Sequence, residues 1–280
     1  MASGNRDETV RSMRALCVDL RVQILEMITA AASGHPGGSL SAIDFIATLF
    51  EHELRHDPKN PTSADRDRFV LSKGHAVPAL YVTLAHQGYF DAKLLPSLRQ
   101  LGSPLQGHPV VGTVPGVEAC TGSLGQGLSV AEGMALAGQL DGKDFRVFCM
   151  MGDGEMQEGQ VWEAMMSASK FKLENLVAIL DNNKGQIDGH VRDVMPIEPI
   201  EDKARAFGWT THRFDGHDYG AILDALAWAK SKDGKPKFLV AETVKGKGVS
   251  FMEDNNKWHG SAPSKDELAK AISEIRGRAA

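Results

Sequence analysis

Two polar turns near the middle of the chain carry residue types that can bind a metal ion and a diphosphate. The first is Gly152-Asp153-Gly154, which follows a short apolar run, and the second is Asn182-Asn183, which follows the next apolar run. Carboxylate and amide oxygens are hard ligands that suit Mg²⁺ or Ca²⁺, and glycine lets a backbone approach a diphosphate closely. Gly-Asp-Gly alone is typical of ordinary turns. The asparagine pair, one helix and one strand later, makes a metal–diphosphate site the better interpretation.

Dinucleotide binding is the main alternative for a glycine-rich turn that follows a strand. Such a site needs the pattern G-x-G-x-x-G, and Gln157 stands here where the third glycine belongs. An acidic side chain beside a diphosphate also requires a cation between the two negative charges. The ATP-binding P-loop pattern does not occur in the sequence either. The residues therefore favour a metal-bound diphosphate over NAD or ATP.

Four of the ten histidines lie in or beside turns that contain glycine or proline. They are His35, His75, His108 and His259. Imidazole transfers protons near neutral pH and can hydrogen-bond sugar hydroxyls, so a catalytic or substrate-binding role is predicted for these four. The other six are interpreted as surface or satisfied core residues: His52, His56, His86, His190, His212 and His217.

Repeated strand–turn–helix patterns must position these turns. Apolar runs at 145–151 and 176–180 are continuous rather than alternating, which is typical of parallel strands covered on both faces. The predicted fold is therefore an α/β domain with a three-layer, doubly wound, mostly parallel sheet. In such folds ligands bind at the carboxyl ends of the strands. Residues 1–280 are assigned to one domain, with an N-terminal helix at 10–32 and a C-terminal helical tail at 264–277.

Composition excludes several classes of function. The 280 residues carry a formal net charge of −5, which argues against nucleic acid as a partner. No apolar stretch is long enough to span a membrane. The three cysteines contain no C-x-x-C pair, so neither a disulfide scaffold nor a cysteine zinc site is predicted, and a reducing cytoplasmic location is expected.

The paired turns resemble the cofactor motif of the thiamine-diphosphate enzymes, in which GDG is followed by NN. Five further motifs, in the same order along the chain, resemble transketolase in particular. They are SGHPG at 33–37, LSKGHA at 71–76, GHP at 107–109, TGSLGQG at 121–127 and WHG at 258–260.

The resemblance implies a role for each matching residue. Asp153, Asn183 and the carbonyl of Gly185 would bind Mg²⁺, with Ca²⁺ as an alternative. The four histidines would line the substrate channel. Glu158 would either link paired active sites or act as an acid at a helix N-terminus, and Lys245 and Lys247 are interpreted as solvated rather than phosphate-binding. The residues expected at thiamine diphosphate are His75, Gly122, Ser123, Leu124, Gly152, Asp153, Gly154, Glu155, Asn183 and His259.

The resemblance also implies a split enzyme. The motifs match only the diphosphate-binding part of a transketolase, and the glutamate that activates the cofactor lies in a second, pyrimidine-binding domain. We therefore expect this chain to be the N-terminal subunit, joined by a separate C-terminal subunit in an α₂β₂ heterotetramer that transfers a two-carbon ketol group between sugar phosphates of the pentose phosphate pathway. The alternatives are a related enzyme chain that uses an unusual sugar or 2-oxo acid, and a non-catalytic metal–diphosphate binding module.

Overall fold

Parallel strands form the centre of the computed structural model, which describes residues 3–278. In chain order the strands are β1 (Arg68–Leu71), β2 (Val147–Gly152), β3 (Leu176–Asn182), β4 (Gly185–Gln186), β5 (Gly189–His190), β6 (Thr210–Asp215) and β7 (Lys237–Glu242). Neighbouring strands of the main sheet follow the order β1-β2-β3-β7-β6, and every neighbouring pair is parallel. A small antiparallel hairpin pairs β4 with β5.

Helices cover both faces of this sheet. The α-helices are α1 (Ser3–Ala31), α2 (Pro36–His52), α3 (Val77–His86), α4 (Gln126–Leu140), α5 (Gly159–Lys170), α6 (Val191–Val194), α7 (Ile200–Ala206), α8 (Tyr219–Trp228) and α9 (Lys265–Gly277). One face of the sheet carries α1, α2, α3, α8 and α9, and the other carries α4, α5 and α7. Short 3-10 helices connect several elements.

Two hydrophobic cores explain why the strand sequences are continuously apolar. Alternate residues of a strand point to opposite faces, so Phe148 and Met150 join the core on one side, whereas Val147, Cys149 and Met151 join the core on the other. Every residue of β2 and β3 is buried. The predicted fold class, a three-layer α/β domain around a mostly parallel sheet, is confirmed.

A helix lies at each end of the described part of the chain. Helix α1 begins at Ser3, ahead of the predicted start at 10, and ends at Ala31, while α9 covers Lys265–Gly277. The outermost residues of the predicted 1–280 domain lie outside the described part of the chain. No helix within 3–278 is both long and apolar enough to cross a membrane.

The carboxyl ends of four adjacent strands bring distant segments together. Ser72 and Lys73 follow β1, Asp153 follows β2, Asn183 follows β3, and the segment around Lys245 follows β7. Helix α4 packs very closely beneath this edge. A Cβ atom on Gly127 would lie only 2.3 Å from Ser72 Oγ, which leaves no room for a side chain. The glycine at 127 is therefore required for packing.

Candidate functional site

A cavity of about 290 Å³ opens at the carboxyl ends of these strands. Its walls include Asp153, Asn183 and Gly185 from the two polar turns, together with Lys245 and His259. The structure thus brings the three predicted metal ligands to one place. They enter it from two neighbouring strands of the sheet, as the predicted topology requires.

Asp153 is a buried carboxylate that forms no ion pair within the described chain. Its side chain is 2% exposed, and its oxygens accept hydrogen bonds from the backbone N–H groups of Gly154, at 2.8 Å, and Lys184. Burial and the nearby negative charge of Asp181 raise the pKa of Asp153 to about 7. A bound cation would favour the ionised form, so this carboxylate fits a metal site.

Two hydrogen bonds fix the orientation of the Asn183 amide group within the turn. Its Nδ2 donates to Asp181 Oδ2 at 2.8 Å, and its Oδ1 accepts from the N–H of Gly185 at 3.1 Å. No group of three His, Cys, Asp or Glu residues within 3–278 is arranged to hold a metal. A metal here would therefore need the amide and carbonyl oxygens as well as Asp153.

A buried ion pair supports this edge of the sheet. Lys73 and Asp181 are 1% and 0% exposed, and the Lys73 ammonium donates to Asp181 Oδ2 and to the carbonyl of Gly38. Asp181 also accepts from Ser41 Oγ and Thr243 Oγ1. Burial alone would raise the pKa of Asp181, but the lysine and the hydrogen bonds hold it below its usual range.

The interpretation of Lys245 as a solvated residue is wrong. Its residue exposure is 1%, and its ammonium donates to the carbonyl of Gly185 at 3.0 Å and to His259 Nδ1 at 2.7 Å. Burial lowers its pKa to about 8. A cation thus already contacts one of the predicted metal-binding oxygens. Lys247, two residues further on, is half-buried.

The four predicted histidines form one cluster. The ring of His35 is central, with centroids 5.2 Å from His75, 5.7 Å from His259 and 6.3 Å from His108. The rings of His75 and His259 stack at 5.2 Å. Their segments are far apart in sequence, so only the fold assembles them beside the cavity.

The histidines are held in their neutral form. Burial, with the positive charge of Arg99 as the next cause, lowers the pKa of His35 to about 4. Burial and Lys245 lower the pKa of His259 to about 3. Burial lowers the pKa of His75 far below its usual range and also lowers that of His108. Neutral imidazoles can donate and accept hydrogen bonds at once.

These shifts predict a loss of stability on acidification. A histidine with a depressed folded pKa binds its proton in the unfolded chain first, so stability is fully present above pH 6.5 and falls as the pH drops towards 4. We expect the melting temperature to fall across this window. In His35→Asn the fall should be shallower, whereas His52→Asn, which alters an exposed histidine, should keep the wild-type slope. Equal slopes in all three proteins would contradict the prediction.

Arg99 is a site residue that the sequence analysis missed. Its guanidinium donates to Ser33 Oγ at 2.9 Å and to the carbonyl of Gly107 at 3.3 Å, and lies 3.4 Å from His35 Nδ1. It therefore ties two of the histidine-bearing turns together. Its sequence neighbourhood contains no motif, and only its three-dimensional contacts reveal it.

The remaining predicted cofactor residues differ in how they meet the cavity. Leu124, Gly152, Gly154 and Glu155 line it. The carboxylate of Glu155 is turned inward, because it accepts from Ser72 Oγ and from the N–H groups of Gly125 and Gly152. Its predicted cofactor role stays a prediction.

Among the outer turn residues, Glu158 lines the cavity, whereas Gly122 and Ser123 are not part of its lining. Gly122 adopts φ +137°, and a Cβ there would lie 2.8 Å from His108 Cδ2, so glycine permits this close approach. Ser123 is exposed. Glu158 is also exposed, lines the cavity and does not cap the following helix with its side chain. Glu158 is the N-cap residue of α5, which fits an acid at a helix N-terminus, and both interpretations of its role stay predictions.

Nearly the whole chain is similar to known proteins. The family described as "Transketolase, thiamine diphosphate binding domain" matches residues 6–277. The chain is 41% identical over 258 residues to one of the subunits of the apulose-4-phosphate transketolase of Phocaeicola vulgatus, covering 92% of each chain. It is 44% identical over 256 residues to the 6-deoxy-6-sulfo-D-fructose transketolase subunit SqwG of a Clostridium species, covering 91% of this chain and 93% of that subunit.

Longer proteins match over only part of their length. Human transketolase is 42% identical over 262 residues, which are 91% of this chain but 41% of the human chain. The crystal structure of transketolase from Campylobacter jejuni superimposes with a TM-score of 0.89 at 36% identity, covering 96% of this chain and 43% of that one. The chain thus spans about two fifths of these transketolases and nearly all of the two subunits.

Proposed function

This chain belongs to the transketolase family, whose thiamine diphosphate binding domain it matches over residues 6–277, and we propose that it is the N-terminal subunit of a split transketolase. With a separate C-terminal subunit it would transfer a two-carbon ketol group from a ketose phosphate to an aldose phosphate. The observation that carries this proposal is a cavity lined by the metal-donor turns and by His75 and His259, whose rings cluster with those of His35 and His108. The resemblance predicted from the sequence motifs is confirmed.

The residues of the cavity fit thiamine diphosphate held through a metal ion. Asp153, Asn183 and the Gly185 carbonyl would bind Mg²⁺ or Ca²⁺ through oxygens, which both ions prefer. Lys245 and His259 stand beside them, where they would contact the negatively charged diphosphate. When bound, thiamine diphosphate supplies the chemistry that cleaves and forms the carbon–carbon bond.

The histidine cluster fits a polyhydroxylated substrate. Neutral imidazoles accept a hydrogen bond at one nitrogen and donate at the other, so His35, His75, His108 and His259 can bind sugar hydroxyls and transfer protons to and from them. Arg99 would hold His35 in place. A plain 2-oxo acid offers few hydroxyls to such a cluster, and this favours a sugar substrate over the oxo-acid alternative.

A non-catalytic binding module is the weaker alternative. Such a module would need the metal donors but not the histidines, and here His75 and His259 line the same cavity as the metal donors. The three cysteines of the chain are free thiols, which fits the proposed reducing, cytoplasmic location.

The proposed partners are a second copy of this chain and a C-terminal subunit. Two relatives of nearly the same length are named as subunits. The adjacent helices α4 and α5 expose Val130 and Met166, which are 41% and 53% exposed, and Leu140 and Phe171 at the ends of these helices are also exposed. An apolar helix surface of this kind suits contact between chains. We therefore propose an α₂β₂ heterotetramer in which α4 and α5 meet the second copy.

Mixing the subunits tests the proposal. We expect the purified chain alone to show no ketol transfer, and a mixture with its C-terminal subunit to convert ketose and aldose phosphates only when thiamine diphosphate and Mg²⁺ are present. The reason is that each chain would hold one part of the cofactor. Product formation is measured by coupled assay, and the mass of the complex by analytical ultracentrifugation. Full activity of the chain by itself, or no activity in the mixture on any sugar phosphate, would contradict the proposal.

A further inference from the structure

The segment 244–248, called here the Lys245 loop, is attached to the fold by its backbone on both sides of Lys245. The N–H of Val244 donates to His217 Nε2 at 2.9 Å. The carbonyl of Lys247 accepts from Arg21 Nε at 3.3 Å. Both partners lie on the side of the loop away from the cavity, in contact with a single buried carboxylate, Asp44.

Asp44 is the centre of this attachment. It is 1% exposed and accepts hydrogen bonds from Arg21 Nη2 at 2.5 Å, His217 Nδ1 at 2.7 Å and Tyr219 Oη at 2.6 Å. Asp44 lies on α2, and its partners come from α1, from the turn that leads into α8 and from the first residue of α8. Burial would raise the pKa of Asp44, but Arg21 and His217 hold it below its usual range, so the carboxylate stays charged and keeps its partners.

The hydrogen bonds define which nitrogen of His217 carries the proton. A backbone N–H can only donate, so Nε2, which faces Val244, must accept. The proton is then on Nδ1, where it is donated to the Asp44 carboxylate. His217 therefore transmits the position of Asp44 to the backbone directly before Lys245. Close packing supports the contact, since a Cβ on Gly216 would lie 2.5 Å from Thr243 Cγ2.

Lys245 depends on this support because its own side-chain contacts are weak restraints. Within the described chain its ammonium bonds only to the Gly185 carbonyl and to a neutral ring nitrogen of His259, and no carboxylate pairs with it. A buried ammonium without a paired anion is costly. The backbone of the loop must therefore hold the side chain in the cavity.

We propose that His217, oriented by Asp44, is a positioning residue that holds Lys245 at the diphosphate end of the cofactor site. The inference rests on the proposed function, because it assigns Lys245 to a bound diphosphate. It gives a role to a histidine that the sequence pattern places among ordinary core residues. His217 itself does not reach the cavity and acts through the loop.

Two substitutions at this position separate the hydrogen bond from general packing. In His217→Gln the amide oxygen can reach the place of Nε2 and accept from Val244. In His217→Asn the shorter amide can reach Asp44 but not Val244. Hydrogen exchange of the full chain, followed by mass spectrometry, should show amides of the Lys245 loop exchanging about five- to tenfold faster in His217→Asn, as expected for the loss of one hydrogen bond. Exchange in His217→Gln should stay close to wild type.

Cofactor binding gives the second readout. Titration of the assembled complex with thiamine diphosphate in the presence of Mg²⁺ should show about five- to tenfold weaker binding for His217→Asn, while His217→Gln retains most of the affinity. If His217 acts through Lys245, the two effects are not additive. In a Lys245→Met background, His217→Asn should therefore weaken binding by less than twofold further.

The outcomes distinguish the inference from the function on which it rests. Unchanged loop exchange in His217→Asn would overturn the attachment itself, whatever the cofactor. Weaker binding by an equal factor with and without Lys245 would overturn the route through that lysine. Faster loop exchange together with unchanged binding in both Lys245→Met and His217→Asn would instead remove Lys245 from the diphosphate site.

Discussion

Replacing Asp153 with alanine will abolish ketol transfer that depends on thiamine diphosphate, with a loss of at least about a hundredfold in turnover by the assembled enzyme. Asp153 is the one carboxylate among the three predicted metal ligands. Without it, the Asn183 and Gly185 oxygens offer only neutral dipoles to a divalent cation. The measurement is steady-state turnover across a range of Mg²⁺ concentrations, together with calorimetric titration of thiamine diphosphate and Mg²⁺.

A matched substitution controls for a general effect of removing one negative charge from the protein. Asp193 lies on the short helix α6 with a side chain that is 63% exposed, so Asp193→Ala removes the same group far from any buried contact and should leave turnover unchanged. Circular dichroism and the melting temperature establish that both variants fold. Wild-type turnover in a folded Asp153→Ala protein would refute the metal assignment.

Replacing Lys73 with methionine should destabilise the domain by about 3–5 kcal/mol, the usual cost of removing one partner of a buried ion pair. Methionine fills a similar volume, but Asp181, which is fully buried, would lose its cation while keeping its negative charge. Urea unfolding, followed by circular dichroism, measures the change. Cofactor affinity should fall as well, because Asp181 also orients Asn183 by accepting a hydrogen bond from Asn183 Nδ2.

A double substitution distinguishes the uncompensated charge from lost packing. Asp181→Asn in the Lys73→Met background removes the charge at nearly constant size, so the double variant should recover part of the lost stability. Ser41 donates to Oδ2 of Asp181 and Thr243 donates to Oδ1, so one of these two hydrogen bonds keeps its acceptor on the remaining amide oxygen. If the double variant is less stable than Lys73→Met alone, the ion pair is not what stabilises this edge.

Local sequence patterns were sufficient to predict the fold class. The buried strands β2 and β3 are continuous apolar runs, and such runs have few alternatives to a parallel sheet covered on both faces. Because the carboxyl ends of parallel strands share one edge, the turns at Asp153 and Asn183 could be placed together without a structure. The helix boundaries were less certain, and α1 begins seven residues before the predicted start at 10, at Ser3.

Burial and side-chain contacts could not be predicted in this way, even in glycine-containing turns. Lys245 lies between Val244 and Gly246 and is interpreted as solvated from the sequence, yet the fold buries it against Gly185, 60 residues away. Glu155 is predicted at the diphosphate, and only the fold shows that its carboxylate contacts Ser72, 83 residues away. Arg99 carried no signal at all.

What the sequence determined by itself is therefore the set of elements and the chemistry of their connecting turns, because both depend on residues close together in the chain. The tertiary structure decided which polar side chains are buried and what they contact. Asp44 and His217 lie 173 residues apart, and they meet, like other distant partners, only when the sheet and its helices pack. The burial that lowers the histidine pKa values and holds Lys245 at the cavity is a property of that packing, and no local pattern encodes it.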